Sequence, residues 1–195
     1  MSLPPYFSQW ESPELIAEFL AGRDAVSDPH WLTSGAADAA EYGRWADHLC
    51  GMACLKMALG ARGETHTIHD LRRAVQPLGG YVEEPDGNIR GLIYAGAVRW
   101  LNARGLFARI VLDEPMPALR PGDFYIASVH PMIRTPEALP PRKGGHLVLV
   151  FGRDAQGHHR FHNPSGTTRA EQRDVRLAPE AFSRFHADRG ILLAL

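Results

Sequence analysis

The spacing of the apolar residues changes once along this chain, at Gly105. Before that glycine they recur at helical intervals. After it they fall in short runs with strand character. Helices grouped ahead of strands predict an α+β domain, because parallel βαβ units require the two kinds of element to alternate. In the first part, Ser12-Pro13-Glu14 reads as a helix opening, with serine as cap and proline at the first helical position. Leu15, Ile16, Phe19 and Leu20 follow as an apolar stripe ended by Gly22. Further short helical pieces begin at Asp28-Pro29-His30-Trp31 and run over Ala39 to Trp45. Residues 50–59 form a continuous apolar helix, with Cys54, Leu55, Ala58 and Leu59 inward. Another helix starts over Thr67–Leu71. Residues 77–91, rich in Gly, Pro and Asp, form a loop, and residues 92–104 a helix with Leu92, Ile93, Ala97, Trp100 and Leu101 on one side. Strands are predicted at Phe107–Leu112, Phe124–Val129, His146–Phe151, His158–His162 and Ile191–Leu195, with a proline-rich loop between the second and third. Each half is too thin for a core of its own, so the 195 residues predict one domain, 1–195, with two lobes.

A chain of this length folds without disulfides or metal, burying about 70% of its unfolded surface. The formal net charge of -1 removes any bulk electrostatic case for nucleic acid or anionic membranes as partners. No run approaches the ~20 apolar residues of a spanning helix. The opening from Met1 to Phe7 lacks the basic start and apolar run of a signal peptide, so the expected location is the cytoplasm. There are two cysteines, Cys50 and Cys54, four residues apart in one helix. Helical neighbours bridge poorly. The pair is therefore either packing or chemistry.

Cys50 opens the apolar helix and precedes Gly51. A thiol at a helix N-terminus meets the positive end of the macrodipole, which favours thiolate. Gly51 lets substrate backbone or a neighbouring segment come close. A cysteine in such a setting is more often packing than reactive, and Cys54, one turn further in, is read as packing. His146 follows Gly144-Gly145 at the mouth of an apolar strand, where an unpartnered titratable group is costly. Asn163 lies in His162-Asn163-Pro164-Ser165-Gly166, a turn sequence. If residues 154–157 form a four-residue hairpin loop, Arg153 faces His158, His146 faces Ser165 and Asn163 faces Val148. His146 and Asn163 then share a face as diagonal neighbours about 7 Å apart. The amide can hold the imidazole while the other ring nitrogen meets Cys50. Cysteine, histidine and asparagine in these roles supply nucleophile, base and orienter for attack on a carbonyl. The oxyanion needs donors as well. The Cys50 backbone N–H is one, and Gln9, in Tyr6-Phe7-Ser8-Gln9-Trp10, is the best side-chain candidate for the other.

Pro5-Tyr6-Phe7-Ser8-Gln9-Trp10, Cys50-Gly51-Met52-Ala53-Cys54-Leu55-Lys56-Met57, Gly145-His146-Leu147-Val148-Leu149-Val150 and Asn163-Pro164 together resemble the bacteriocin-processing, double-glycine-leader type of papain-like cysteine peptidase. The resemblance runs in the right order over almost the whole chain, and the cysteine helix is its most specific part. It implies a papain-like α+β fold, with the cysteine helix packed on an antiparallel sheet. It also implies Cys50 as nucleophile, His146 as general base, Asn163 as orienter and Gln9 as oxyanion donor. In that family the glutamine stands a few residues before the cysteine, whereas here residues 10–49 intervene. They are expected to fold outward as a helical insertion. Arg44 occupies the position six before Cys50. With no transport segment, the chain is expected to be a free-standing relative.

The resulting expectation is a thiol hydrolase that cleaves a peptide or small amide through an acyl-enzyme. An acyltransferase of the same fold and a catalytically silent peptide-binding module are the alternatives. Neither cofactor nor metal is expected, since His158 and His162 face one way, His159 the other, and no carboxylate or cysteine accompanies them. The four tryptophans are read as core. Arg134, Arg142 and Lys143 read as a solvated charge run, with a substrate carboxylate as the alternative role, and residues 131–145 as a wall or lid of the cleft.

Overall fold

The computed structural model describes residues 3–194; Met1 and Ser2 of the expected opening, and Leu195 of the last expected strand, lie outside them. Seven α-helices are present among the described residues: α1 (Ile16–Leu20), α2 (Ala39–Ala46), α3 (Cys50–Gly60), α4 (Ile68–Val75), α5 (Tyr94–Ala103), α6 (Arg169–Gln172) and α7 (Pro179–Ser183). The six strands are β1 (Phe107–Leu112), β2 (Asp123–Val129), β3 (His146–Arg153), β4 (His159–His162), β5 (Val175–Leu177) and β6 (His186–Ala194). They form one antiparallel sheet in the order β1-β6-β2-β3-β4-β5. The arrangement is α+β, with helices and sheet segregated in sequence.

Strand alternation divides the sheet between two cores. Leu147, Leu149, Ile126, Ile191 and Leu193 face α3, α4 and α5, in a cluster that also takes in Met52, Leu55, Met57 and Leu59. Each such side chain contributes about 1.5–3 kcal/mol when fully buried. Val148, Val150, Tyr125, Ala127 and Phe161 face the other way, against Phe182 of α7 and Phe185. Helix α3 is apolar all round because it is the central helix, covered by the sheet on one side and by helices on others.

Residues 10–49 have a third core: Trp10, Ile16, Phe19, Ala25, Tyr42 and Ala46. Ser12 does not cap a helix as expected. Its hydroxyl donates to Asp28 Oδ1 at 2.6 Å, and its backbone N–H to Asp28 Oδ2 at 3.2 Å. Asp28 also accepts from the Glu11 and His30 backbone N–H groups and the Tyr42 hydroxyl, so one buried carboxylate gathers the segment. A carboxylate with this many donors outcompetes a local cap.

The hairpin between β3 and β4 corrects the expected register at its outer end. Arg153 pairs with His159, not His158, because the loop is a three-residue turn closed by Gly157 at φ +85°. A bulge at Phe151, between Val150 and Gly152, then absorbs one residue, and Leu149 pairs with His162. The two departures cancel, and the inner end of the ladder keeps the expected register.

Candidate active site

Cys50 is the first residue of α3, partly exposed at its N-terminus. His146 is the first residue of β3, the strand on which α3 chiefly packs. Both line one cleft of about 260 Å³, together with Leu92, Tyr94, Ser128 and Arg189. Gly51 makes the approach possible. A Cβ there would stand 2.7 Å from Leu92 Cδ2 and 2.9 Å from Leu147 Cδ1. The neighbouring segments that Gly51 admits are thus the loop before α5 and the start of β3. Cys54 is wholly buried in the α3 core.

The His146 ring is held from one side. Its Nε2 lies 2.8 Å from Asn163 Oδ1 and 2.9 Å from the Ser165 hydroxyl. Asn163 Oδ1 also accepts the Ser165 backbone N–H at 3.1 Å, so this oxygen faces the ring as an acceptor. Nε2 must then carry the hydrogen, which leaves the lone pair on Nδ1. The diagonal contact that the hairpin register predicts is made. Among the described residues, no hydrogen bond joins the Cys50 sulfur to this ring.

Ser165 joins the site although its turn sequence alone does not mark it; the signal is the same register, which sets it opposite His146. Arg134 reads in sequence as part of a solvated charge run, with a substrate carboxylate as the alternative role. It is partly buried instead, with Nε donating to the Ser165 carbonyl at 2.6 Å and Nη2 to the Ser165 hydroxyl at 2.5 Å. Its sequence neighbours in that run, Arg142 and Lys143, are exposed. The signal for Arg134 lies in Pro131-Met132-Ile133, a turn of 3-10 helix capped by the His130 side chain and anchored by the buried Ile133, which carries the arginine inward.

Burial favours the neutral form of both Cys50 and His146. Burial, and after it the Arg134 charge, hold His146 down at about 3, against the opposing pull of the Asn163 hydrogen bond. Burial pushes the Cys50 thiol up to about 11, although the backbone N–H groups of Leu147, Gly51 and Cys50 and the Arg134 charge favour its thiolate. The helix N-terminus therefore acts on Cys50 as expected, but desolvation is the larger effect.

Gln9 is buried and is not part of the wall of this cleft. The opening segment runs along the far end of β4: the His162 ring meets the Pro4 carbonyl at 3.0 Å, the Tyr6 hydroxyl donates to the Asn163 carbonyl, and the Gln9 backbone N–H donates to the Pro164 carbonyl at 3.0 Å. The Gln9 side-chain amide donates to the Ala46 carbonyl at 3.2 Å. The Gln9 side chain thus meets Ala46, four residues before Cys50, and the residues between them pack around their own core. Arg44 points to the surface and pairs with Glu83 at 2.6 Å.

No protein-family model matches this chain, and no curated protein matches it in sequence. Among solved structures, it is similar to the peptidase domain of Streptococcus ComA, a bi-functional ABC transporter involved in a quorum-sensing pathway. The TM-score is 0.52 and the identity 17%, over 76% of this chain and 92% of that chain. A double-glycine-motif protease from an AMS/PCAT transporter, solved with its leader peptide, is similar at TM-score 0.48 and 16% identity, over 75% of this chain and 84% of that chain. No helix among the described residues is long and apolar enough to cross a membrane. The ComA likeness shows the fold: an α+β arrangement of the papain-like peptidase type.

Proposed function

We propose that the chain is a cysteine peptidase that cleaves a peptide or small amide through a thioester on Cys50. The observation that carries this reading is the His146 ring, fixed through Nε2 by Asn163 and Ser165 while it shares a cleft with a cysteine at a helix N-terminus. Cys50 Sγ attacks the scissile carbonyl as its proton passes to His146 Nδ1. The carbon–nitrogen bond breaks, and the leaving amine takes that proton. Water then gives a proton to Nδ1 and attacks the thioester, releasing the acid and restoring the thiol.

The Cys50 backbone N–H would meet the oxyanion; Gln9, the expected second donor, lies outside the cleft wall with its amide on the Ala46 carbonyl. Asn163 keeps the ring in the productive tautomer. Ser165, with Arg134 behind it, closes the remaining side of Nε2.

The test is cleavage of a peptide library, read by mass spectrometry, with wild type, Cys50→Ala and His146→Ala. Discrete cleavage products with wild type alone support the proposal. Equal cleavage by Cys50→Ala, or peptide binding with no cleavage by wild type, overturns it in favour of contamination or a binding module respectively.

A further inference from the structure

Part of the cleft wall consists of hydrogen-bond donors that the chemistry at the sulfur leaves unused. Tyr94 opens α5, Ser128 lies on β2 and Arg189 on β6, and all three line the same cleft as Cys50 and His146. They are brought together by an irregularity in the sheet. The β2–β6 ladder pairs Ala127 with Gly190 and then skips to Val129 with His186. Ser128 and Arg189 sit in that interruption, next to Asp188 at φ +50°. Bulges of this kind re-aim side chains beside functional clefts.

The donors converge. The point where a Cβ on Gly144 would stand is 3.0 Å from Arg189 Nη2 and 3.2 Å from Ser128 Oγ, so guanidinium tip and hydroxyl flank one small space. Burial raises the Tyr94 hydroxyl, and Ser128 and the Arg189 charge act against that rise, which puts the phenol beside both. Arg189 is exposed and has no ion pair among the described residues. Its neighbour Asp188 is engaged with Lys143 at 3.7 Å and His186 at 3.4 Å. No carboxylate lines the cleft.

We propose that Arg189, Ser128 and Tyr94 form a subsite for a carboxylate of the substrate, so that the preferred peptide presents an acidic side chain or a free C-terminus beside the bond attacked by Cys50. The proposal rests on the reading of Cys50 as the reactive thiol of this cleft. A guanidinium with two neutral hydroxyl donors and no competing anion suits a carboxylate.

Bromoacetyl probes test it without a known substrate. Cys50 Sγ displaces bromide, the S–C bond forming as the C–Br bond breaks and the thiol proton is lost. Cys54 is wholly buried, so the added mass reports Cys50. Four probes are compared: N-bromoacetyl-glutamate amide against its glutamine amide, and N-bromoacetyl-glycine with a free acid against its glycinamide. One acidic probe should alkylate about fivefold faster than its neutral partner, the gain an exposed charge pair supplies. Which pair shows the effect tells an acidic side chain from a C-terminus. In Arg189→Gln the ratio of acidic to neutral rates should fall to about one, and Tyr94→Phe should weaken the preference with the charge retained. Equal rates for both pairs in wild type, or a preference that survives Arg189→Gln, overturns the proposal. Failure of the catalytic reading shows separately, as neutral-probe rates that His146→Ala does not change.

Discussion

Replacing Arg134 by methionine removes a charge from behind the His146 ring while keeping an unbranched apolar stem. The guanidinium nitrogen is 2.5 Å from the Ser165 hydroxyl, which is 2.9 Å from His146 Nε2, so the charge lies no more than about 5.4 Å from the ring nitrogen. At an effective dielectric constant of about 20, that separation corresponds to roughly 3 kcal/mol, or about two pKa units. Burial holds His146 at about 3, with Arg134 as the second cause, so the variant should move it toward about 5. Cys50 should move the other way: burial sets it at about 11, and the variant removes a charge that favours its thiolate. The imidazole Cε1–H resonance of isotopically labelled protein reads the first effect. The wild-type ring should remain neutral to the acid edge of the folded state, while the variant titrates within it. Iodoacetamide alkylation of Cys50 at pH 8 reads the second, and should slow. The loss of two charged hydrogen bonds to Ser165 costs about 1–3 kcal/mol each, so melting temperature is followed alongside. Arg134→Lys keeps the charge without the two-nitrogen fork, and should retain the wild-type titration. A His146 midpoint that does not change in Arg134→Met would refute the electrostatic role.

Two further outcomes concern stability. His146, His69 and His159 are almost fully buried, and burial is the leading cause that holds them at about 3, 4 and 4 respectively. Their unfolded pKa is about 6.5, so the unfolded chain binds the extra protons, and stability is complete above that value and lost as pH falls below it. At pH 5 each should cost about 2 kcal/mol, together a large share of a typical domain's 5–15 kcal/mol. The melting temperature should therefore fall steeply between pH 6.5 and 5, and a flat profile there contradicts the burial of neutral histidines. Gly51→Ala would force a Cβ against Leu92 and Leu147, and should cost about 1–3 kcal/mol by denaturant unfolding, with little change if the α3–β3 approach is looser than described.

The order of elements and the main strands were legible because hydrophobic period reports them directly. Helix α3 and the strands β1, β2 and β3 fall where the pattern puts them, within two residues at their ends. Strand β5, three residues long and half-buried at the sheet edge, has no such pattern. The start of β6 at His186 carries no strand pattern, because its apolar run begins only at Ile191. The inner hairpin register was obtained although the loop length was not, since the bulge at Phe151 offset the shorter turn. Ser12 and Asp28 show why short helical pieces resist local reading: a buried carboxylate sixteen residues away took the cap's hydroxyl. Arg134 and Ser165 were hidden for a related reason. An arginine amid prolines and other cations reads as surface, and the turn that buries it is set by tertiary packing. The return of the chain from Ala46 to Gln9 is a long-range contact that no spacing encodes.

Trapping the acyl-enzyme tests the central claim most directly. A cleavage reaction with a responsive peptide is quenched in acid, and the protein is measured by intact mass and peptide mapping. The account predicts an added acyl mass on Cys50 as a thioester, released by neutral hydroxylamine, absent from Cys50→Ala and strongly reduced in His146→Ala. Cleavage that proceeds with no adduct on Cys50, or undiminished in Cys50→Ala, would contradict it.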